Sequence, residues 1–282
     1  MRLFKYFGPD RAAILQSRLI RFSQPSSFND PFEFLPFIER IDAPENISQR
    51  FIDEANKDFS VQYDALDDDI KLTISKAQFN EYMKDALLSK ISDGSALIQA
   101  QAGYAQEKII EEMNKALGVL CLSEKHDDLL MWAHYADCHR GFVLEFDSES
   151  PFFNQRRSVN DDLRHLKPVI YSELRPAINL SNTSVEELGL TKSTHWSYEK
   201  EWRIIKALID ADTITSTAQG DVFLFEFPSD ALRAIYIGAK MQGDSELSLM
   251  KNIEADKSLA HLAIFKARVH GSHYELVFDE VR

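Results

Sequence analysis

Two carboxylates and a guanidinium lie close together in Thr194–Lys206, which reads T-H-W-S-Y-E-K-E-W-R-I-I-K. If this stretch is a strand, side chains alternate between its faces, and Glu199, Glu201 and Arg203 share one face. Such a set could bind a polar ligand at the mouth of a sheet, or it could form an ion network that satisfies itself. If the stretch is a helix, Glu199 and Arg203 form an ordinary surface i,i+4 pair. The stretch alone leaves these alternatives open.

The composition indicates a soluble globular protein that has enough residues to bury a core. The 282 residues are 44% hydrophobic and 27% charged, with a formal net charge of −13. This charge argues against broad binding to nucleic acid or to an anionic membrane, because both require a basic surface. The N-terminus lacks the apolar region of a signal peptide, and no apolar stretch approaches transmembrane length. We therefore expect a cytoplasmic protein with no membrane partner.

The elements that must position the carboxylates are short strands and a helical region. Apolar runs without regular helix–strand alternation predict an α+β fold with mixed or antiparallel sheets. We interpret 1–282 as a single domain and 45–117, with apolar residues at three- and four-residue steps, as a helical insertion or cap. The strands predicted outside Thr194–Lys206 are Leu3–Phe7, Leu19–Ser23, Val119–Ser123, Gly141–Phe146, Pro168–Tyr171, Asp221–Phe227, Ala234–Ile237, Leu262–Arg268 and Tyr274–Asp279.

Two further segments carry polar groups that could face a ligand. In Ser26–Glu33, Asn29 and Asp30 precede a proline, which holds this loop extended; the loop is either a packed aromatic turn or one wall of a pocket. His134 and Tyr135 either line a pocket or satisfy each other inside the core. His134, Cys138 and His139 could be metal ligands, since His134 and Cys138 are one helical turn apart, but a stable metal site needs three or four ligands, and no convincing fourth is visible. We therefore predict no metal.

Four separated segments resemble the bacterial family known as domain of unknown function twenty-nine seventy-one. The resemblance covers most of the chain outside the helical region, and it is carried by Phe4–Tyr6, Phe28–Glu33, Cys121–Phe142 and Trp196–Arg203. The order of elements is also similar to that of ADP-ribosyltransferases, particularly the toxin-type enzymes that modify nucleic acid. In those enzymes a first strand contacts NAD, and an Asn-containing loop lies under the nicotinamide. A Glu-x-Glu motif occurs on a late strand, and its second glutamate is catalytic.

The second resemblance implies a role for each candidate residue. Glu201 would be the catalytic carboxylate, and Glu199 would orient it or the acceptor. The residues implied for NAD binding are Tyr6, Asn29, Asp30, His134, Tyr135 and Arg203, with Arg140 as another candidate for the diphosphate and Trp132 and Trp202 for ring stacking. The chain departs from the usual arginine-serine-glutamate pattern, since it has no Ser-Thr-Ser strand and Lys5 or Arg21 would replace the arginine.

The resemblance implies an NAD-dependent ADP-ribosyltransferase-like enzyme, such as an intracellular toxin or an anti-phage effector. Its small-molecule partner would be a nucleotide, with NAD as substrate, and its acceptor either a protein or a nucleic acid. Two other hypotheses stay open. One is a ligand-sensing domain that has kept the pocket without turnover, and the other is a hydrolase or nuclease that uses His134 and nearby acids.

Overall fold

The computed structural model describes residues 1–35, 37–40, 55, 58–87, 102–161, 163–179 and 185–282. The chain divides into two compact units. The larger unit comprises Met1–Phe34, Ile110–Arg175 and Val185–Arg282, and the smaller unit comprises Leu35–Ile109 and Pro176–Ser184. Both helices and strands are present, with mixed and antiparallel sheets, so the predicted α+β class is confirmed. No helix within the described residues has the length and apolar character needed to cross a bilayer.

The elements are numbered here along the chain. The strands are β1 (Arg2–Phe7), β2 (Leu19–Phe22), β3 (Phe37–Arg40), β4 (Leu117–Ser123), β5 (Phe142–Asp147), β6 (Lys167–Pro168), β7 (Ile170–Ser172), β8 (Ala177–Asn179), β9 (Thr191–Ser193), β10 (Glu201–Ala207), β11 (Thr213–Thr217), β12 (Gly220–Glu226), β13 (Leu232–Ile237), β14 (Ala263–Val269) and β15 (Leu276–Glu280). The helices are α1 (Ile14–Ser17), α2 (Asp68–Lys71), α3 (Ala102–Ala116), α4 (Leu129–Tyr135), α5 (Val185–Leu190) and α6 (Asp244–Ala255).

An eight-stranded sheet organises the larger unit, in the order β15-β14-β13-β5-β1-β4-β10-β6. All neighbours are antiparallel except β13 and β14. β1 pairs with β5, and β4 with β10, along the full length of both strands, but β1 and β4 pair only at Phe4 and Ser123. The sheet therefore opens between β1 and β4. A separate antiparallel sheet has the order β11-β12-β2, and β7 pairs with β9 in parallel.

The two faces of the large sheet bury different apolar clusters, as strand alternation requires. On β1, Leu3 belongs to the larger cluster, whereas Phe4 and Tyr6 belong to a smaller one around Trp132 of α4. Trp132 is fully buried, and its Nε1 donates to the carbonyl oxygen of His126 at 2.7 Å. Helix α4 is thereby fixed against the end of β1, next to the opening between β1 and β4.

The smaller unit is helical where the structure describes it, apart from one strand pair. β3 and β8 pair in parallel, and helical residues occupy 58–64, 76–87 and α2. Tyr63 packs against Phe79 with ring centroids 5.7 Å apart. Residues 45–54, 56–57 and 88–101 of the range 45–117 lie outside the described residues, so a single helical insertion over this range stays a prediction.

Candidate functional site

The Glu-x-Glu segment combines a 3-10 helix and a strand. Thr194–Glu199 forms the 3-10 helix, and the side chain of Ser193 caps it by accepting from the backbone N–H of His195. Lys200 then adopts a left-handed conformation (φ 46°), and β10 begins at the next residue. The strand interpretation is therefore correct from Glu201 onwards, while Glu199 is presented by a turn just before the strand.

Five buried charged side chains form one ion network around this segment. Lys192 on β9 is 3% exposed, and its Nζ contacts three carboxylates. The distances from Lys192 Nζ are 2.6 Å to Glu199 Oε2, 2.9 Å to Glu201 Oε2 and 3.2 Å to Glu33 Oε1. The fifth member is Arg203, which is fully buried on β10. The alternative of an ion network, left open by the sequence, is thus present in the structure.

All three nitrogens of the Arg203 guanidinium donate hydrogen bonds inside the protein. Its Nε donates to Glu201 Oε1 at 2.8 Å, and its Nη2 donates to Glu201 Oε2 at 3.0 Å and Glu33 Oε1 at 2.8 Å. Nη1 donates to the carbonyl oxygen of Gly189 at 2.7 Å, and the ring of Phe28 lies 5.3 Å from Cζ. Arg203 therefore positions Glu201 from behind and has no donor directed at a ligand.

The network drives the ionisation of its two adjacent glutamates in opposite directions. Three carboxylates face two cations, so the fully ionised network carries one excess negative charge. Burial raises the pKa of Glu199, and Lys192 opposes this only in part. Burial also acts to raise the pKa of Glu201, but the charges of Arg203 and Lys192 outweigh it and hold that pKa below its usual range. Glu201 stays ionised, whereas Glu199 takes up a proton more readily.

A pocket of about 260 Å³ lies where the sheet opens between β1 and β4. One wall carries both glutamates of the segment and Lys192. The full lining is Phe4, Lys5, Tyr6, Ser23, Ser27, Phe28, Asn29, Val119, Cys121, Leu122, Ser123, Met131, Tyr135, Lys192, Glu199 and Glu201.

Along this opening, the backbone groups at the edge of β4 form hydrogen bonds with a lysine side chain and with the segment after β2. They do not pair with the backbone of β1. Lys5 Nζ donates to the carbonyl oxygen of Cys121 at 2.9 Å. Ser23 exchanges two backbone hydrogen bonds of 2.8 Å with Val119. Since buried carbonyl and amide groups need such partners, these contacts allow the sheet to stay open where the pocket lies.

Tyr135 links the loop after β2 to the glutamate wall. Its hydroxyl donates to Glu199 Oε1 at 2.7 Å and accepts from Asn29 Nδ2 at 3.2 Å. Burial, reinforced by the charge of Glu199, raises the pKa of Tyr135, so this hydroxyl remains a donor. Tyr6 presents its ring rather than its hydroxyl, because the hydroxyl donates to the carbonyl oxygen of Lys125 at 2.8 Å.

Of the two catalytic and six NAD-binding residues that the resemblance implies, the structure brings five together in the pocket and leaves three outside it. Asp30 is buried in its own turn, where Oδ1 accepts from the backbone N–H of Phe32 at 2.9 Å. His134 is exposed beside the ring of Trp196, at 6.3 Å between centroids, and Arg203 lies behind the glutamates. The five that line the pocket are Tyr6, Asn29, Tyr135, Glu199 and Glu201.

Sequence reasoning did not identify Lys192 or Glu33 as site residues. Lys192 lies in the short strand β9, and Glu33 is the last residue of the loop Ser26–Glu33. A weak signal existed, since buried carboxylates in an apolar segment require nearby cations. That rule does not say which of the many lysines of the chain supplies the charge.

The histidines and cysteine weighed as metal ligands do not converge. His134 and Cys138 are exposed, and the ring of His139 stacks on Trp132 at 6.1 Å. Among the residues that the structure describes, a group with suitable spacing is His270, His273 and Glu275, in the loop between β14 and β15. Nδ1 of His270 already accepts two backbone N–H groups of this loop, at 3.1 and 3.2 Å. We assign no metal there.

Residues 131–204 match the family described as protein of unknown function (DUF2971). This span runs from α4 into β10 and includes Tyr135, Lys192, both glutamates and Arg203. No curated protein and no solved structure matches the chain. The resemblance to the unknown-function family is thus supported, whereas no similarity found supports the resemblance to ADP-ribosyltransferases. Over residues 131–204, the chain is similar to a family whose function is not known.

Proposed function

We propose that the chain cleaves the N-glycosidic bond of a nucleotide, with NAD as the first candidate, and transfers the ribosyl group to an acceptor. The observation that carries this proposal is the pair of carboxylates on one pocket wall. Their pKa values are displaced in opposite directions, downwards for Glu201 and upwards for Glu199. Neighbouring acids with divergent pKa values suit a reaction that needs one ionised group and one proton-transfer group.

Each residue would have a defined task in this reaction. When the bond between ribose C1′ and the nicotinamide nitrogen breaks, its electron pair leaves with the nicotinamide, and the ribosyl group becomes cationic. Glu201, kept ionised by Arg203 and Lys192, would stabilise that cation. An acceptor hydroxyl would then bond to C1′ and release its proton to Glu199. Tyr135 would hold Glu199 in place through the 2.7 Å hydrogen bond.

The pocket fits part of such a substrate. About 260 Å³ lies just below the usual range of about 300–1,000 Å³ for ligand pockets, which suits a base and ribose better than a whole dinucleotide. The rings of Tyr6 and Phe28 can pack on a base. For the diphosphate, Arg203 has no remaining donor facing the pocket, and Arg140 is paired with Asp137 at 2.7 Å outside it. Of the cations that the resemblance implies for NAD binding, Lys5 is the one that lines the pocket.

A second candidate function is ligand sensing without turnover. Both oxygens of Glu201 already accept hydrogen bonds from Arg203 or Lys192. A carboxylate that is held in this way can bind a ligand hydroxyl without taking part in chemistry. The hydrolase hypothesis has no comparable support, because His134 is exposed and does not line the pocket.

The test combines binding and turnover on the purified full chain. Wild type, Glu199→Gln and Glu201→Gln would be titrated with NAD in a thermal-shift assay, with released nicotinamide measured by chromatography. Glu254→Gln, which changes an exposed carboxylate on α6, is the matched control. A ligand that binds only the folded state must raise the melting temperature.

We expect NAD to stabilise wild type and the control, and nicotinamide release to disappear in both active-site variants. Stabilisation of wild type and the Gln variants without any release of nicotinamide would favour the sensing function. Absence of a shift at millimolar NAD, with a folded wild type, would overturn NAD as the ligand.

A further inference from the structure

A second pocket, of about 520 Å³, lies beside the end of β10. It contains Lys206, whose side chain points away from the face that carries Arg203 because strand positions alternate. The pocket is lined by Gln155, Arg157, Arg164, Lys206, Asp210, Asp212, Phe225, Glu226, Phe227 and Pro228. None of these residues lines the pocket with the two glutamates.

Lys206 is a buried cation held by aromatic rings instead of carboxylates. It is 4% exposed, and its Nζ lies 4.6 Å from the ring centroid of Phe152 and 5.1 Å from those of Phe22 and Phe225. Within the described part of the chain, Nζ has neither a hydrogen-bond acceptor nor an ion-pair partner. An ammonium has three donors, and a buried ionised group without such partners is costly.

Two of the three acidic side chains that line the pocket, Asp210 and Asp212, are bound to other donors, and the third, Glu226, is exposed. Asp210 accepts from Arg157 and Arg164, both at 2.9 Å. Asp212 Oδ2 accepts from the backbone N–H of Glu226 at 2.7 Å. These carboxylates therefore stabilise Lys206 only at longer range. The N–H groups of Lys206 Nζ can therefore donate to a ligand in the pocket.

We propose that this pocket binds a small oxyanion, a carboxylate or a phosphate, whose oxygens accept hydrogen bonds from Lys206 Nζ. Arg157, 64% exposed at the side chain and paired on one side with Asp210, stands among the lining residues as a second cation for the ligand. The aromatic rings hold the ammonium in place by cation–π attraction, so the site is organised before the ligand arrives. The proposal is independent of the chemistry proposed for the other pocket.

Binding should depend on pH through Lys206. Burial lowers the pKa of Lys206 to about 8, Arg164 adds to this, and Asp212 and Asp210 act in the opposite direction. An anion binds the protonated amine, so it must raise this pKa. For acetate, which stays ionised near neutral pH, the affinity should therefore be nearly constant just below pH 8 and fall by about tenfold for each pH unit above it.

The experiment uses the full chain with ¹³C-labelled lysine, observed by NMR at constant ionic strength. Acetate and inorganic phosphate are titrated separately, which distinguishes the two kinds of oxyanion, and chloride serves as the blank. Lys206→Met assigns the resonance and removes the charge, and methionine can fill the aromatic cage without strain. Lys251→Met, at an exposed position on α6, is the control variant.

We expect acetate or phosphate to shift the Lys206 Cε resonance and raise its titration midpoint, and to stabilise wild type and Lys251→Met against heat. Binding to Lys206→Met should be at least tenfold weaker. The proposal is overturned if neither anion moves the Lys206 resonance at a concentration of about 50 mM, where even a weak site would be largely occupied. It is also overturned if Lys206→Met binds the anions as tightly as wild type does.

Discussion

Replacing Lys192 with methionine should destabilise the larger unit strongly. Lys192 is 3% exposed and contacts three carboxylates. Burial acts to lower the pKa of Lys192, but the charges of Glu201, Glu33 and Glu199 outweigh it and raise this pKa. Without it, three carboxylates face Arg203 alone, so the excess negative charge rises from one to two. Removing one partner from a buried ion pair costs about 3–5 kcal/mol, because it leaves an uncompensated buried charge. We expect a loss in that range at pH 8.

The loss should shrink in acid. Without Lys192, Glu199 is left among carboxylates, and its already raised pKa should rise further. The folded variant then takes up a proton at a pH where the unfolded chain does not, so its stability improves as the pH falls. Urea unfolding at pH 8 and pH 5, followed by far-UV circular dichroism, measures both effects.

Lys115→Met is the matched control for this substitution. Lys115 also contacts two carboxylates, at 2.7 and 2.9 Å, but on the surface of α3. Solvent screens such pairs, so we expect no measurable change in its urea midpoint. If Lys192→Met unfolds at the same urea concentration as this control, or if its deficit is as large at pH 5 as at pH 8, the buried network does not have the energetics described.

Three further changes test neighbouring parts of the structure. Glu199→Gln should remove a pH dependence of stability. Wild type should lose stability as the pH rises from about 4.3 through the raised pKa of Glu199, by at most about 1.4 kcal/mol per pH unit. Urea unfolding midpoints of the variant should not show this loss. Tyr135→Phe should cost about 1–2 kcal/mol and weaken nucleotide binding, because Asn29 and Glu199 lose their shared partner; calorimetric titration gives the binding change. Trp132→Ala should cost about 3–5 kcal/mol in urea unfolding, and a smaller loss would contradict its place in the core.

The sequence could predict what depends on local patterns. Alternation and apolar runs identified the strands that contain Tyr6 and Glu201, and the α+β class followed from their irregular order. The spacing of Glu201 and Arg203 placed both on one strand face, as the structure shows. Local periodicity suffices here because side-chain direction in a strand is set by the backbone itself.

The limits of local patterns are visible at the same segment. Glu199 belongs to neither a strand nor an α-helix, because a 3-10 helix and a left-handed Lys200 interrupt the alternation. Asp30 was grouped with Asn29 as a pocket residue, yet its carboxylate is bound within its own turn. Neighbouring residues in a turn can direct their side chains oppositely, as Asn29 and Asp30 do, and the residue types alone do not indicate which one faces a pocket.

Only the tertiary structure decided which charges meet and where the sheet opens. Glu33, Lys192 and Arg203 come from distant parts of the chain, and their contacts require the loop after β2 and the short strand β9 to pack on the same end of β10. Lys206 reaches three rings from other elements in the same way. Such contacts depend on which strands pair, and pairing is set by the burial of the whole apolar surface rather than by neighbouring residues. The sequence by itself therefore determined the strands that carry Tyr6 and Glu201 and the candidate carboxylates, and the fold determined the ionisation of these carboxylates and their pocket.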